Sequence, residues 1–117
     1  MESIAARTLA LKGAQIICHP SNLVMPYCQK TMYARAVENH VFIITTNRIG
    51  TETRNDEELI FTGGSVIFDP KGNYLSEGTI NEEELKIEEI NQTDADDKFI
   101  NKFNNVITDR REEFYYK

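Results

Sequence analysis

The chain has 117 residues, 40% of them hydrophobic and 27% charged, and a mass of 13.5 kDa, as in one soluble globular domain. Thirteen basic and nineteen acidic residues give a net charge of −6. The basic residues are scattered, which argues against nucleic-acid binding because phosphate contacts need clustered Lys and Arg. No apolar run approaches the ~20 residues that span a bilayer, and no export signal is visible. We therefore expect a cytoplasmic protein that binds no membrane.

The first half of the chain is predicted to alternate helices and strands. Residues 3–12 are mostly good helix formers, and Gly13 follows at a position that ends helices. Residues 14–18 predict a short buried strand closed by Pro20, and a second helix follows from Pro26 to about residue 39. Residues 41–46 are β-branched, aromatic and apolar, which predicts a strand buried on both faces. This order implies a βαβ crossover with parallel strands.

The second half is predicted to be mainly antiparallel. It contains two apolar segments separated by a Pro- and Gly-containing turn, a charged segment with alternating apolar residues, and a polar segment with an apolar stripe. The predicted elements are a loop at 48–58, strands at 64–68, 74–78 and 85–90, a turn at 69–73, a helix at 94–103 and a charged, aromatic tail at 108–117.

Two cysteines and two histidines are the soft metal ligands of the chain. Cys18, His19, Cys28 and His40 lack the paired spacing of a zinc site, so no metal and no cofactor are expected. Cys18 and His19 are adjacent, and neighbours on a strand point to opposite faces, so they cannot act as nucleophile and base. Cys18 is expected to be a small buried hydrophobe. The glycines at 63–64 precede a strand, which favours close backbone packing over a phosphate loop.

The segment His19–Leu23 leaves the carboxyl end of a parallel-type strand, the edge at which α/β folds build pockets. His19, Ser21 and Asn22 could bind a ligand there, or Asn and Pro could serve only an ordinary turn. The local sequence favours neither interpretation.

Segments spread from Ala6 to the end of the chain resemble the nitrilase superfamily of carbon–nitrogen hydrolases, in the order of that family. They are ARTLALKGA (6–14), HPSNL (19–23), RAVENHVF (35–42), NRIG (47–50), FTGGS (61–65) and DRREEFY (109–115). The resemblance covers only the second half of the family's domain. It identifies residues 1–117 as one partial domain.

The resemblance implies a mechanism whose catalytic residues lie outside the matched segments. The family hydrolyses small amides and related C–N compounds with a Glu base, a Lys and a Cys nucleophile that forms a thioester. All three lie upstream of the matched segments, so this chain is expected to hold no catalytic residue and to be inactive alone. Neither Cys18 nor Cys28 takes the nucleophile's place. The implied fold is half of a four-layer α-β-β-α sandwich, a mixed sheet with two amino-terminal helices and a carboxyl-terminal helix or tail.

The resemblance also assigns roles to a few residues. Pro20, Ser21 and Asn22 match a loop that lines the substrate pocket in relatives. Structural or interface roles are implied for Glu38, Asp109, Arg110 and Arg111. The expected partners are a small amide, once the missing half is supplied, and a second copy bound through the helices at 3–12 and 26–40. The alternative is a non-catalytic module that keeps the oligomerising surfaces or binds a small molecule.

Overall fold

The computed structural model describes residues 1–115. Within that range it contains two α-helices, eight short strands and two 3₁₀ turns. The helices are α1 (Ser3–Leu11) and α2 (Cys28–Asn39). The strands are β1 (Ile16–Ser21), β2 (Phe42–Asn47), β3 (Thr51–Arg54), β4 (Glu57–Ile60), β5 (Val66–Phe68), β6 (Tyr74–Glu77), β7 (Phe99–Asn101) and β8 (Asn104–Asn105). The 3₁₀ turns span Gln92–Ala95 and Glu112–Phe114.

A four-stranded sheet in the order β1-β2-β5-β6 forms the centre of the fold. β1 and β2 are parallel and α2 connects them, whereas β5 and β6 are antiparallel to their neighbours. The predicted mixed α/β fold with two helices and a βαβ crossover is confirmed. β1 is an edge strand, and this explains why it runs through Pro20 to Ser21 instead of ending before the proline, since an edge strand tolerates a missing N–H.

The helices cover one face of the sheet and leave the other face open. The buried core joins three alanines and one methionine of the helices to larger residues of the strands: Ala6, Ala10, Met32, Ala36, Ile17, Ile43, Val66 and Phe68. Alternate residues of β1 point away from the helices, and Ile16 and Cys18 are exposed there. The prediction that Cys18 is buried is therefore wrong, because its side chain lies on the uncovered face of an edge strand.

The turn predicted at residues 69–73 is confirmed and packs against α2. The carboxylate of Asp69 accepts hydrogen bonds from the backbone N–H groups of Lys71 and Asn73, at 2.9 and 2.8 Å. Gly72 has φ +84°, and a Cβ at this residue would lie 2.7 Å from a methyl group of Val37. Glycine is required here because both the backbone conformation and the space exclude a side chain.

The predicted loop at 48–58 is wrong in part, because β3 and β4 form a hairpin within it. Asn55 and Asp56 at its tip have φ +51° and +64°. Two consecutive left-handed residues give the turn whose twist matches a two-residue hairpin, and Asn and Asp tolerate that conformation better than other non-glycine residues.

Two further predictions in the second half are wrong. Residues 85–90 form no regular strand, and Leu85 and Ile87 are 85% and 82% exposed. The helix predicted at 94–103 is replaced by the 3₁₀ turn Gln92–Ala95 and the β7–β8 hairpin. Side chains of asparagine cause this, since Asn101 Oδ1 accepts the N–H groups of Phe103 and Asn104 and so stabilises a turn instead of a helix. The expected carboxyl-terminal helix is only the turn Glu112–Phe114, and the last residues of the predicted tail, 116–117, lie outside the described residues.

The carboxyl end of α2 is capped by side chains from distant parts of the chain. His40 adopts φ +46° and ends the helix in the left-handed conformation. The ammonium of Lys98 donates to the carbonyl oxygens of Asn39 and His40, at 3.0 and 2.7 Å, and Arg7 donates to the carbonyl of Glu38. Cations at this end complement the helix dipole. Burial lowers the pKa of Lys98.

Candidate functional site

The candidate site lies where the parallel strands β1 and β2 end side by side. Ser21 of β1 is in register with Asn47 of β2, so the polar residues at both strand ends lie at one edge of the sheet. The structure places Pro20 and Ser21 in the last two positions of β1 and Asn22 immediately after it. Ser21 is half-buried, whereas Pro20 and Asn22 are exposed. This is the edge at which the sequence predicts a pocket.

His19 and Ser21 are close together without forming a nucleophile–base pair. The Ser21 hydroxyl lies 3.1 Å from Nδ1 and 3.0 Å from Nε2 of His19. An oxygen equally close to both ring nitrogens lies over the face of the ring, because Cε1 occupies the in-plane position between them. The geometry therefore lacks the in-plane alignment that proton transfer needs. Nδ1 of His19 is also 3.3 Å from Thr45 Oγ1.

The imidazole of His19 points toward the side of the sheet that the helices cover. Burial, and secondarily the positive charge of the amino terminus, lowers the pKa of His19 below its ordinary value of 6.5. This shift favours the neutral form of the ring. A neutral ring offers Thr45 one donor or one acceptor at Nδ1, according to its tautomer.

A network of polar side chains around the buried Asn47, which the sequence did not predict, fixes the segment after β1. Asn47 contacts Leu23, Thr62 and Gly63 through its side-chain amide. Gln29 of α2 donates to Thr62 Oγ1 and to the carbonyl of Gly63, each at 2.8 Å. A polar residue at the end of a strongly apolar strand was the available signal for Asn47, but nothing in the sequence indicates that Gln29 and Thr62 meet it.

A cavity of about 550 Å³ opens at the end of β2, on the sheet face away from the helices. Its polar lining comes from the strand ends and the segment after β6, and includes Thr46, Asn47, Arg48, Ser65, Thr79 and Glu84. None of Pro20, Ser21 and Asn22 lines it. The predicted pocket residues and the cavity therefore occupy neighbouring strand ends.

The cations beside this cavity are paired with carboxylates. Arg48 binds Glu52 at 2.8 Å and lies over the Phe61 ring, 4.2 Å from its centroid, and hydrogen bonding from Arg48 is the main cause of a lowered pKa of Glu52. Lys86 binds Glu84 at 2.8 Å. Hydrogen bonds from Lys86 and then Thr79 lower the pKa of Glu84 to about 2. The cavity consequently presents no strong net positive field to an anionic substrate.

The four residues with predicted structural or interface roles make mostly local contacts. Glu38 pairs with Arg35 at 2.8 Å, and Asp109 accepts the N–H of Asn105 at 2.7 Å. The ion pairs near the end of the chain are Arg110 with Glu112 and Arg111 with Glu113. No cluster of three or more metal-ligating side chains occurs within residues 1–115, and no helix in that range is long and apolar enough to cross a bilayer.

Comparisons with known proteins agree on one family. The model of the carbon-nitrogen hydrolase family matches residues 4–97. A nitrilase of Pyrococcus abyssi is 46% identical over 113 residues, which cover 97% of this chain and 42% of that protein. An (R)-stereoselective amidase of a Pseudomonas species is 36% identical over 75 residues, which cover 62% of this chain and 26% of the amidase.

The solved structures of similar proteins lead to the same family. A mutant of the Nesterenkonia AN1 amidase, of the nitrilase superfamily, superposes with a TM-score of 0.60 at 31% identity and covers 68% of this chain and 30% of the amidase. In another mutant of that amidase the acetamide moiety of fluoroacetamide is covalently attached to the active-site cysteine. The chain spans less than half the length of these relatives. By sequence and fold, this chain belongs to the carbon-nitrogen hydrolase family.

Proposed function

We propose that this chain is the carboxyl-terminal half of an amidase- or nitrilase-like domain that hydrolyses non-peptide C–N bonds. The observation that carries the proposal is the alignment with the Pyrococcus nitrilase, which uses nearly all of this chain and only 42% of the relative. The Glu, Lys and Cys of the family's mechanism would come from the amino-terminal half. This half would supply the sheet edge, Pro20, Ser21 and Asn22 as pocket residues, and the covering helices.

The open face of the sheet is an argument that a further layer of the domain packs against it. Ile16 is exposed on this face, and Leu85 and Ile87 lie almost free in solvent. Apolar surface of this kind marks an interface. We propose that the sheet of the amino-terminal half packs here, which would complete a four-layer α-β-β-α sandwich and cover the cavity beside β2.

Neither thiol of the chain is proposed as the nucleophile. Cys18 faces the open side of β1, whereas His19 faces the helices, so the adjacent imidazole cannot activate it. Cys28 is the first residue of α2. Both thiols are free, which suits a reducing compartment, and a cytoplasmic location is part of the proposal.

A second copy of the chain is the proposed partner of α1 and α2. Ile4 is 76% exposed and Leu11 and Tyr33 are about half exposed on the outer sides of these helices. Glu38 and the segment Asp109–Arg111 would lie at or near this interface. The alternative function, a non-catalytic module that binds a small molecule, is favoured only by the cavity that this chain forms by itself.

The decisive experiment is reconstitution with the amino-terminal part of the Pyrococcus nitrilase, taken up to the start of the matched region. The two polypeptides are co-expressed, purified as a complex and assayed against a panel of amides, nitriles and N-carbamoyl compounds. Turnover by the complex and none by either part is the expected result. A complex without turnover on the whole panel would favour the non-catalytic module. Turnover by this chain alone that is lost in Cys18→Ala or Cys28→Ala would overturn the assignment of the nucleophile.

A further inference from the structure

The buried side chain of Asn47 joins three segments that are distant in sequence. Its Oδ1 accepts the backbone N–H of Leu23 at 2.7 Å, and its Nδ2 donates to the carbonyl of Gly63 at 2.8 Å and to Thr62 Oγ1 at 3.1 Å. Its own N–H donates to Ser65 Oγ at 2.9 Å. One residue at the end of β2 therefore binds the segment after β1 and the segment before β5.

The partners fix the orientation of this amide. The N–H of Leu23 requires an acceptor and the carbonyl of Gly63 requires a donor, so the oxygen and nitrogen of Asn47 cannot be exchanged without losing both hydrogen bonds. The Thr62 hydroxyl is also fully used. It accepts from Asn47 and Gln29 and donates to the carbonyl of Leu23 at 2.9 Å. Because the amide of Asn47 and the hydroxyl of Thr62 are both bonded in this way, the two side chains are held in one arrangement.

The network fixes the residues on either side of Asn22. The carbonyl of Ser21 accepts the N–H of Arg48 at 3.1 Å. The N–H of Leu23 is bound by Asn47, and its carbonyl is bound by the N–H and the hydroxyl of Thr62. Asn22 is therefore an exposed side chain between two residues whose backbone is held to the sheet. Such an arrangement presents a polar group with little conformational freedom, as substrate binding requires.

We propose that Asn47 is a positioning residue, which fixes the segment Ser21–Leu23 so that Asn22 and its neighbours meet the substrate in one conformation. The inference rests on the proposed function, since the substrate is that of the hydrolase. The side-chain amide of Asn47 is occupied by Leu23, Thr62 and Gly63, so Asn47 acts through these groups and not by contact with the substrate. Its effect passes through the two backbone groups of Leu23 that it and Thr62 hold.

Hydrogen exchange of the full chain tests the positioning independently of activity. Asn47→Leu preserves the approximate volume and removes both the acceptor of the Leu23 N–H and the donor to Gly63. Its matched control is Asn39→Leu. Asn39 is also completely buried, but it donates only to the carbonyl of Arg35 at 2.9 Å, and its Oδ1 has no partner among the described residues.

The amide of Leu23 is expected to exchange about tenfold faster or more in Asn47→Leu. Amides of β2 such as Ile44 should keep their protection, and the control should leave Leu23 unchanged. Equal protection of Leu23 in Asn47→Leu and the wild type would overturn the inference, as would equal acceleration in Asn39→Leu. If Asn47→Leu does not fold, Asn47→Ala takes its place with the same expected result, because it also removes the acceptor of the Leu23 N–H and the donor to Gly63.

Kinetics of the reconstituted complex then separate this inference from the proposed function. Asn47→Leu should lower kcat/KM about tenfold or more while the complex still assembles, and Asn39→Leu should lower it much less. Unaltered kcat/KM in Asn47→Leu would overturn the positioning role even though the hydrolase function stands. If the wild-type complex shows no turnover, the proposed hydrolase function is wrong, and so is the role of Asn47 in catalysis. Hydrogen exchange at Leu23 then decides by itself whether Asn47 fixes the segment Ser21–Leu23.

Discussion

The backbone of Ile80 lies directly against Gly63. A Cβ built at Gly63 would be 2.7 Å from Cα of Ile80, and φ of this glycine is +51°. Two independent reasons therefore require glycine, the left-handed backbone and the absence of space. The contact matters for the candidate site because the carbonyl of Gly63 is one of the groups that Asn47 and Gln29 bind.

We expect Gly63→Ala to destabilise the chain more than Gly50→Ala. Gly50 has φ +85° and nothing within 4 Å of its Cβ position, so alanine there costs only backbone strain of about 1–2 kcal/mol. At residue 63 the displaced backbone of Ile80 should add about 1–3 kcal/mol. Urea unfolding of both variants measures the difference. Equal free energies of unfolding would show that the Ile80 segment moves away without cost.

Arg7 is expected to contribute to stability through two carbonyl groups. Its guanidinium donates to the carbonyl of Val106 at 3.0 Å and to that of Glu38 at the end of α2. Arg7→Met keeps most of the aliphatic volume and should lower the free energy of unfolding by about 1–3 kcal/mol, the range for hydrogen bonds to charged groups. The control is Lys12→Met, at an exposed position after the same helix. A loss no larger than that of the control would contradict the role of Arg7.

His19 should make the stability of the chain depend on pH. Its pKa in the folded state is below the ordinary value of 6.5, so the unfolded chain binds the proton more readily. Its stabilising contribution is complete above pH 6.5 and is lost as the pH falls through the folded-state pKa. Unfolding measured between about pH 5 and 8 should show a smaller acid-side loss in His19→Gln than in the wild type. An NMR titration with a midpoint at or above 6.5 would refute this.

The outer side of α1 is expected to mediate self-association. Ile4 is exposed there, and a charge at this position should prevent a second copy from burying it. Light scattering after gel filtration should detect oligomers of the wild type and a smaller average mass for Ile4→Glu. Leu85→Glu, on the opposite side of the molecule, serves as the comparison. If the average mass decreases only in Leu85→Glu, the copies associate through the open face of the sheet and not through α1.

In the reconstituted complex, Asn22→Ala should weaken activity without affecting assembly. The loss of one neutral hydrogen bond to the substrate corresponds to a decrease in kcat/KM of about 2- to 10-fold. Asn81→Ala, at another exposed asparagine, is the matched control. If the two variants behave alike, Asn22 is not a pocket residue.

Local sequence could predict the elements that are stabilised by interactions between neighbouring residues and the strand that forms the centre of the core. The helices near residues 3–12 and 26–39 were predictable from capping residues and helix propensity, and β2 from its continuous apolar composition. The β3–β4 hairpin was not recognised, because its strands are short, polar and exposed, and only Asn55 and Asp56 at its tip carry a turn signal.

Predictions failed where the outcome depends on a distant partner. Leu85 and Ile87 alternate as in a strand, but no strand of residues 1–115 pairs with them, and a strand needs such a partner. The exposure of Cys18 likewise follows from the position of β1 at the edge of the sheet. The pocket role of Pro20, Ser21 and Asn22 stays a prediction, and the Asn47–Thr62–Gln29 network depends on tertiary packing that spacing does not encode.

The capping of α2 by Arg7 and Lys98 bears on how the chain folds during synthesis. Arg7 precedes the helix and is available as soon as the helix has been made, but Lys98 follows His40 by 58 residues. At the usual rate of translation those residues need about 3–12 s. Until then the carbonyl groups of Asn39 and His40 lack this cation. The capping of the last turn of α2 is therefore completed only after residue 98 has been made, well after the β1–α2–β2 segment has been synthesised.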